Sequence, residues 1–451
     1  MSLNPARVLD VDPLLDDPET RIVVCCGSGG VGKTTTAAAL GLRAAERGRK
    51  VVVLTIDPAR RLAQSMGIDS LDNTPRRVKG VEGDGELHAM MLDMKRTFDE
   101  IVEAHADGDR AAAILNNPFY QSLSAGFAGT QEYMAMEKLG QLRARDEWDL
   151  IVVDTPPSRS ALDFLDAPKR LGSFLDGRLI RLLTAPAKLG GRAGMKFLNV
   201  GMSMMTGTLG KLLGGQLLKD VQTFVAAMDT TFGGFRTRAD ATYKLLQAPG
   251  TAFLVVAAPE RDALREAAYF VERLAAEDMP FAGLVLNRVH GSGAAQLSAE
   301  RALAAAEDLD SAADSATDSA ADSEAAENLD EARIVDQGGG KAGLRNSPDT
   351  YGSSESPASE TSAPDGSDEG SPAATDTDRT VEQLTAGLLR LHAERMQLLS
   401  REQRTRDRFA ALHPEVAVAE VAALPGDVHD LAGLRDIGDR LAANRPELPE
   451  S

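Results

Sequence analysis

Residues 25–36 read CCGSGGVGKTTT. Gly27 to Thr34 fits G-x-x-x-x-G-K-[ST], a loop whose backbone N–H groups close around phosphate oxygens. Glycine removes the Cβ atoms that would hold those amides away from an anion, and a following helix adds the positive end of its dipole. The pattern assigns phosphate contacts to Gly29, Gly30, Val31, Gly32, Lys33, Thr34 and Thr35. Lys33 would reach the β- and γ-phosphates, and the Thr34 hydroxyl would ligate Mg²⁺. Two distant carboxylates complete a hydrolytic set. Asp154, at the end of an apolar run, would hold Mg²⁺ through water as a hard oxygen ligand. Asp57, 24 residues after Lys33, would orient or deprotonate the attacking water.

These residues need elements to position them. IVVCC before the loop is a short unbroken apolar run, as in a strand buried on both faces. TTTAAALGLRAAERG after it has helical composition and a glycine stop. Further strands are expected at KVVVLTID, LHAMMLD, WDLIVVDTPP, TAFLVVAAPE and FAGLVLNR, separated by helical stretches such as EYMAMEKLGQLRARDE and DALREAAYFVERLAAED. Strands alternating with helices predict an α/β fold, a mostly parallel sheet covered by helices on both faces. Ligands of such sheets collect at the carboxyl ends of the strands. The glycine loop, Asp57, Asp154, Pro259 and Asn287 all fall at such ends.

The sequence resembles the deviant phosphate-loop ATPases, within them most closely the ArsA branch. The resemblance is carried by G-x-G-G-V-G-K-T-T, by Ile56-Asp57-Pro58-Ala59 and by Val153-Asp154-Thr155-Pro156-Pro157. DPARRLAQSMG (57–67) is similar to the first switch of that branch, and DTPPSRSALDFL (154–165) to its second. GTQEYMAMEKL (129–139) is similar to the helical stretch between them. The resemblance implies a phosphate-loop NTPase fold, ATP and Mg²⁺ as cofactors, and ATP hydrolysis to ADP and phosphate. It also implies an adenine contact from Asn287 in LVLNR and an adenine-covering loop, LPGDVHDL (424–431), that includes Pro425. The branch contains the arsenite-pump ATPase and the ATPase that guides tail-anchored proteins to membranes, so a dimer and a hydrophobic or membrane-protein client are implied too. One departure matters. Where the family carries a lysine that crosses the dimer interface to the partner's nucleotide, this chain has Ser28. A serine has neither the charge nor the reach for that role. A paralogous subunit that keeps the lysine, a substitute cation such as Arg60, Arg61 or Arg159, or slow hydrolysis are the three readings.

Composition divides the chain. Residues 301–378 hold 19 acidic and 4 basic residues, a net of −15 out of −19 for the whole chain. With almost no aromatic or branched apolar residues they cannot offset the entropy of ordering. The expected organisation is a flexible segment over 1–20, an ATPase core over 21–290 that includes a helical subdomain at 168–240, a disordered acidic insertion at 291–378, and a C-terminal part, 379–451, that completes the core with a long helix, a last strand and the adenine-side loop. The 168–240 stretch has no strand pattern, and five of the 14 methionines fall between Met195 and Met228. Unbranched methionine suits either core packing or a groove for varied apolar clients.

The same residues weigh against other classes. Two adjacent cysteines, Cys25 and Cys26, point to opposite faces of a strand and form no C-x-x-C, which disfavours a disulfide, a zinc clasp and arsenite handling by thiolates. No basic stripe suggests a nucleic-acid partner. No secretory signal opens the chain, and no run is long and apolar enough to span a bilayer. The expected location is cytoplasmic, free or held peripherally at a membrane. The competing reading is a nucleotide-sensing regulatory subunit with weak hydrolysis, acting with a paralogous ATPase; a MinD- or ParA-like positioning ATPase ranks lower because the terminal RDIGDRLAANRPELPES lacks a strong apolar face.

Overall fold

The computed structural model describes residues 7–57, 61–118, 120, 121, 130–156, 237, 238, 240–312 and 373–443, with backbone alone at 130 and over 373–380. The strands are β1 (Ile22–Gly27), β2 (Lys50–Thr55), β3 (Arg76–Arg77), β4 (Glu86–Met91), β5 (Leu150–Asp154), β6 (Thr251–Ala257), β7 (Phe281–Val289) and β8 (Val418–Ala422). The helices used below are α1 (Val11–Asp16), α2 (Lys33–Glu46), α3 (Arg61–Ser65), α4 (Met94–His105), α5 (Gly108–Leu115), α6 (Thr130–Ala144), α7 (Arg261–Ala276), α8 (299–312), α9 (Ala373–Leu412) and α10 (Leu431–Ala443).

One sheet runs in the order β3-β4-β2-β5-β1-β6-β7-β8. Every pairing is parallel except the short β3 edge, which runs antiparallel to β4. The central strands read as continuous apolar runs because both of their faces are covered. Alternation within β1 sends Ile22, Val24 and Cys26 into one core with Met90, Tyr133, Phe253 and Phe270. It sends Val23 and Cys25 into the other with Leu40, Val53, Leu254 and Leu441. The two thiols are therefore free, fully buried and on opposite sides of the sheet, as the sequence implies. The α/β fold expected from the alternating pattern is the fold observed.

Residues 7–20 do not fit the expectation of a flexible lead. Asp10 caps α1, and Val11 and Leu15 of that helix are fully buried. Arg43 of α2 grips Asp12 with two charge-assisted bonds of 2.5 and 2.8 Å, and Arg47 pairs with Asp16. Leu9 N donates to Val418 O and Val418 N to Arg7 O, which extends the β8 edge. The two buried side chains and the arginine pairs hold this segment down.

The described chain falls into two compact units, one comprising residues up to 293 with 399 onward and the other 294–398. The second contains α8 and the greater part of α9. Within it Ala302, Ala306, Ala386 and Ala393 are fully buried, the His392 ring bonds to Leu297 O at 2.8 Å, and Arg390 pairs with Asp310. The expected disorder at 291–378 therefore does not extend to 299–312 or to 373–378, which are helical. Residues 313–372 and the proposed helical subdomain up to 236, with its methionines, lie outside the described residues. Among the described residues no helix is long and apolar enough to cross a membrane.

Candidate nucleotide site

The glycine loop turns directly from β1 into α2. A Cβ at Gly27 would lie 2.1 Å from the Val256 carbonyl oxygen of neighbouring β6, so only glycine lets the loop leave the sheet there. Gly32, at φ +95°, is the helix cap; a Cβ on it would meet the Asn287 amide nitrogen at 2.2 Å. The left-handed backbone and the close approach both require glycine. Val31 is buried, and its carbonyl accepts a 2.8 Å bond from Asn287 Nδ2. Asn287 stands at the end of β7 and thereby ties the loop to the opposite half of the sheet. Gly29 and Gly30 are exposed.

Lys33 is almost wholly buried, and its Nζ donates to the Ser28 carbonyl at 2.8 Å. Burial pulls its pKa down, opposed chiefly by the charge of Asp154. Asp154, at the end of β5, is fully buried. Its Oδ2 accepts from Thr34 Oγ1 and from Thr55 Oγ1, both at 2.8 Å. Desolvation pushes its carboxyl up to about 6, against the two hydroxyl bonds and Lys33. Its other oxygen, Oδ1, is buried with no hydrogen-bond partner among the described residues. A buried carboxylate oxygen without a partner is costly unless a cation or its water completes it. That oxygen, beside a threonine hydroxyl that still has a free lone pair, is the donor set a hydrated Mg²⁺ takes. Among the described residues no cluster of three or more His, Cys, Asp or Glu forms a metal cage, so Thr34 and Asp154 would be the chain's contribution to a site completed by phosphate and water.

Asp57 sits just past β2, with its backbone N on Thr55 Oγ1 at 3.2 Å. Thr55 therefore links the Asp154 carboxylate to the Asp57 backbone, and sequence reasoning missed it. The signal was a lone hydroxyl inside VVVLTID. Gln131 on α6, also missed, donates to Ile56 O at 2.8 Å and links that helix to the same turn.

Two cavities flank the loop within the first unit. One, of about 490 Å³, is lined by Gly30, Lys33, Thr34, Asp57, Arg61 and Thr155, among others. The other, of about 570 Å³, is lined by Asn287, Pro425, Glu260, His290, Glu402 and Val428, among others. Both share Gly32, Thr35, Arg288, Asp427 and Val428, so they meet over the start of α2. The sequence-derived set is thus brought together: Lys33, Thr34 and Asp57 on one side, Asn287 and Pro425 on the other, with Thr35 between and Asp154 behind Thr34. Arg61 and Arg288 add cations to the first cavity; Arg288 was not foreseen, although it directly follows Asn287. Arg60 and Arg159 lie outside the described residues. A loop, a lysine, two aspartates and a divided cavity of this form suit a nucleoside triphosphate, with phosphates at the loop and base beyond Gly32.

The family model for the anion-transporting ATPases, ArsA_ATPase, matches residues 20–305. The chain belongs to the ArsA family. Its relatives include an ATPase GET3 of Malassezia globosa, 29% identical over 174 residues, which are 39% of this chain and 50% of that protein. Another ATPase GET3, of Podospora anserina, is 26% identical over 294 residues, 64% of this chain and 80% of that protein. The chain thus spans half the length of the first of these relatives and four-fifths of the second. The ArsA-family match ends near residue 305, yet β8, α10 and the 421–428 wall of the second cavity come from residues after it.

Proposed function

We propose that this ArsA-family chain binds ATP with Mg²⁺ across the two cavities and hydrolyses it to ADP and phosphate. In this reading the N–H groups of the Gly29–Thr35 loop and the Lys33 ammonium take the phosphates. Thr34 and, through water, Asp154 would hold Mg²⁺, which would supply charge neutralisation at the phosphates. Asp57 orients a water and accepts its proton as the water oxygen bonds to the γ-phosphorus and the bridging P–O bond to ADP breaks. Asn287 and Pro425 border the adenine. The observation that carries the proposal is Asp154: buried, bonded to the Thr34 hydroxyl of the loop, and left with one oxygen unpartnered. Binding of labelled ATP with and without Mg²⁺ to the full chain tests it. Uptake that is indifferent to Mg²⁺, or unchanged by Lys33→Ala, overturns it.

The nucleotide state would drive closure of a dimer, with itself or with a paralogous subunit, and binding of a hydrophobic protein segment or membrane partner, in the cytoplasm or at a membrane surface. Ser28 favours a second reading, a regulatory subunit with weak hydrolysis of its own that acts with a paralogue. Single-turnover hydrolysis by the chain alone and mixed with such a paralogue separates the two. Arsenite handling is not part of either reading. Burial raises the Cys25 thiol well above its ordinary value and pushes Cys26 up to about 12, and a metalloid needs thiolates.

A further inference from the structure

The second cavity holds a side-chain pair that the proposed chemistry leaves unused. His290 directly follows β7, three residues after Asn287, and Glu402 lies on α9; both line that cavity, and both belong to the first unit. Glu402 is only 7% exposed, and a carboxylate that deeply buried needs partners. Both of its partners belong to one residue. Its Oε1 lies 2.7 Å from His290 Nδ1, and its Oε2 accepts from the His290 backbone N at 3.4 Å. Two bonds from one carboxylate hold the imidazole in place. A carboxylate only accepts, so Nδ1 carries the proton, and in the neutral ring Nε2 is left as a lone-pair acceptor. Nε2 has no hydrogen-bond partner among the described residues, and 39% of the side chain stays exposed at the cavity.

We propose that His290 reads the purine: its Nε2 accepts a hydrogen bond from the exocyclic 6-amine of adenine, and Glu402 is the positioning residue that keeps the ring an acceptor. The inference rests on the reading of the second cavity as the base end of the nucleotide site. The carboxylates of Glu260 and Asp427, which also line it, are exposed and hold no hydrogen bond among the described residues, so neither presents an acceptor in a fixed place. A 6-oxo purine would turn a carbonyl lone pair toward the Nε2 lone pair, and both would go unpaired. Selectivity then has two parts, a bond made with the amine and a repulsion met by the oxygen.

Competition between ATP and ITP for the full chain, with Mg²⁺ at pH 8, tests the proposal. The two nucleotides differ only in the 6-substituent and the N1 proton that goes with it. Displacement of labelled ATP is expected to show a wild-type preference for ATP of at least about tenfold, the worth of one hydrogen bond and of the acceptor left unpaired without it. Glu402→Gln keeps the shape. The His290 backbone N–H claims the glutamine oxygen, so the amide NH₂ faces Nδ1 and the ring proton moves to Nε2. ITP is then expected to bind at least about threefold more tightly than it does to wild type, while ATP weakens. His290→Phe combined with Glu402→Leu removes both partners at once, so no buried carboxylate is left alone, and is expected to bring the preference for ATP below about threefold. Equal binding of ATP and ITP by wild type, a preference for ITP, or a preference for ATP that survives in either variant overturns the role of His290 while leaving the ATP site standing. So does Glu402→Gln weakening both nucleotides together, the result of a merely structural role. Failure of wild type to bind ATP at all overturns the nucleotide site itself, and this inference with it.

Discussion

The Lys33 ammonium and the Ser28 carbonyl meet at 2.8 Å, so the loop in this structure is closed by its own lysine. A phosphate oxygen entering the loop has to take that ammonium over, and the exchange replaces a neutral acceptor by a charged one. Charge-assisted bonds are about twice as strong as neutral ones. Lys33→Met is therefore expected to weaken ATP binding at least about a hundredfold, near 3 kcal/mol. The melting temperature of the nucleotide-free protein is expected to hold or rise, because a buried charge is lost. Calorimetric titration and thermal unfolding check the two halves; wild-type affinity in the variant refutes the role.

Ser28 is half-buried in the loop, so a longer side chain can leave toward solvent there. Restoring the family residue by Ser28→Lys is expected to raise ATP turnover of the chain alone by at least about tenfold, a conservative fraction of the 10³–10⁵ that a charge supplied in trans contributes to phosphoryl transfer. Ser28→Ala is expected to change nothing. A steady-state phosphate-release assay decides. Unchanged turnover with lysine would mean that the cation comes from elsewhere, with Arg61 and Arg288 as the candidates that line the cavity.

Asp154 makes stability and function oppose each other. Its carboxyl is raised from 3.8 to about 6 in the folded chain. Below pH 4 it is protonated in both the folded and unfolded states and contributes nothing. As pH rises to 6 the unfolded chain ionises first, so the fold loses stability, and above 6 the full cost stands at about 3 kcal/mol. Asp154→Asn keeps an acceptor for Thr34 and Thr55 without the charge. It is expected to stabilise the nucleotide-free protein at pH 7 by up to about that amount, with the gain vanishing near pH 4, and to abolish the Mg²⁺-dependent part of ATP binding. Chemical unfolding from pH 4 to 8 checks the first, and ATP titration with and without Mg²⁺ the second.

Thr55→Val preserves shape and removes the hydroxyl shared by Asp154 and the Asp57 backbone. Loss of one buried charge-assisted bond, worth about 1.5–3 kcal/mol, is expected to lower kcat by roughly 10–100-fold with a smaller change in KM. A change confined to KM would place Thr55 in binding instead. The variant also raises the Asp154 carboxyl further, so the acid limb of the pH–rate profile should move upward.

Much of this site was readable in the sequence because the glycine loop, Asp57 and Asp154 sit at fixed offsets from apolar strands, and a parallel sheet converges its strand ends. Asn287 and Pro425 reach the same place for the same reason. What could not be read depends on geometry across the sheet. Thr55 bridges the Asp154 carboxylate and the Asp57 backbone only because β2 lies beside β5 in the register Thr55–Asp154. The Asn287 bond to Val31 exists because β7 is two strands from β1. The docking of α1 escaped notice because its anchors are two apolar residues among many acids, and the arginines that pair with those acids lie 31 residues away, on α2 and at its C-cap.

The last strand to join the sheet and the helix that covers α2 are translated after the long acidic stretch. Arg43 of α2 reaches Asp439 of α10 at 2.8 Å, and Val421 to Val428 wall the second cavity. A nascent chain that has already paired β1, β2, β4, β5, β6 and β7 therefore still lacks one wall of the second cavity. Ribosomes must finish nearly the whole polypeptide before the second cavity is walled, and a premature stop anywhere in the acidic stretch would leave that cavity open on the side of residues 421–428.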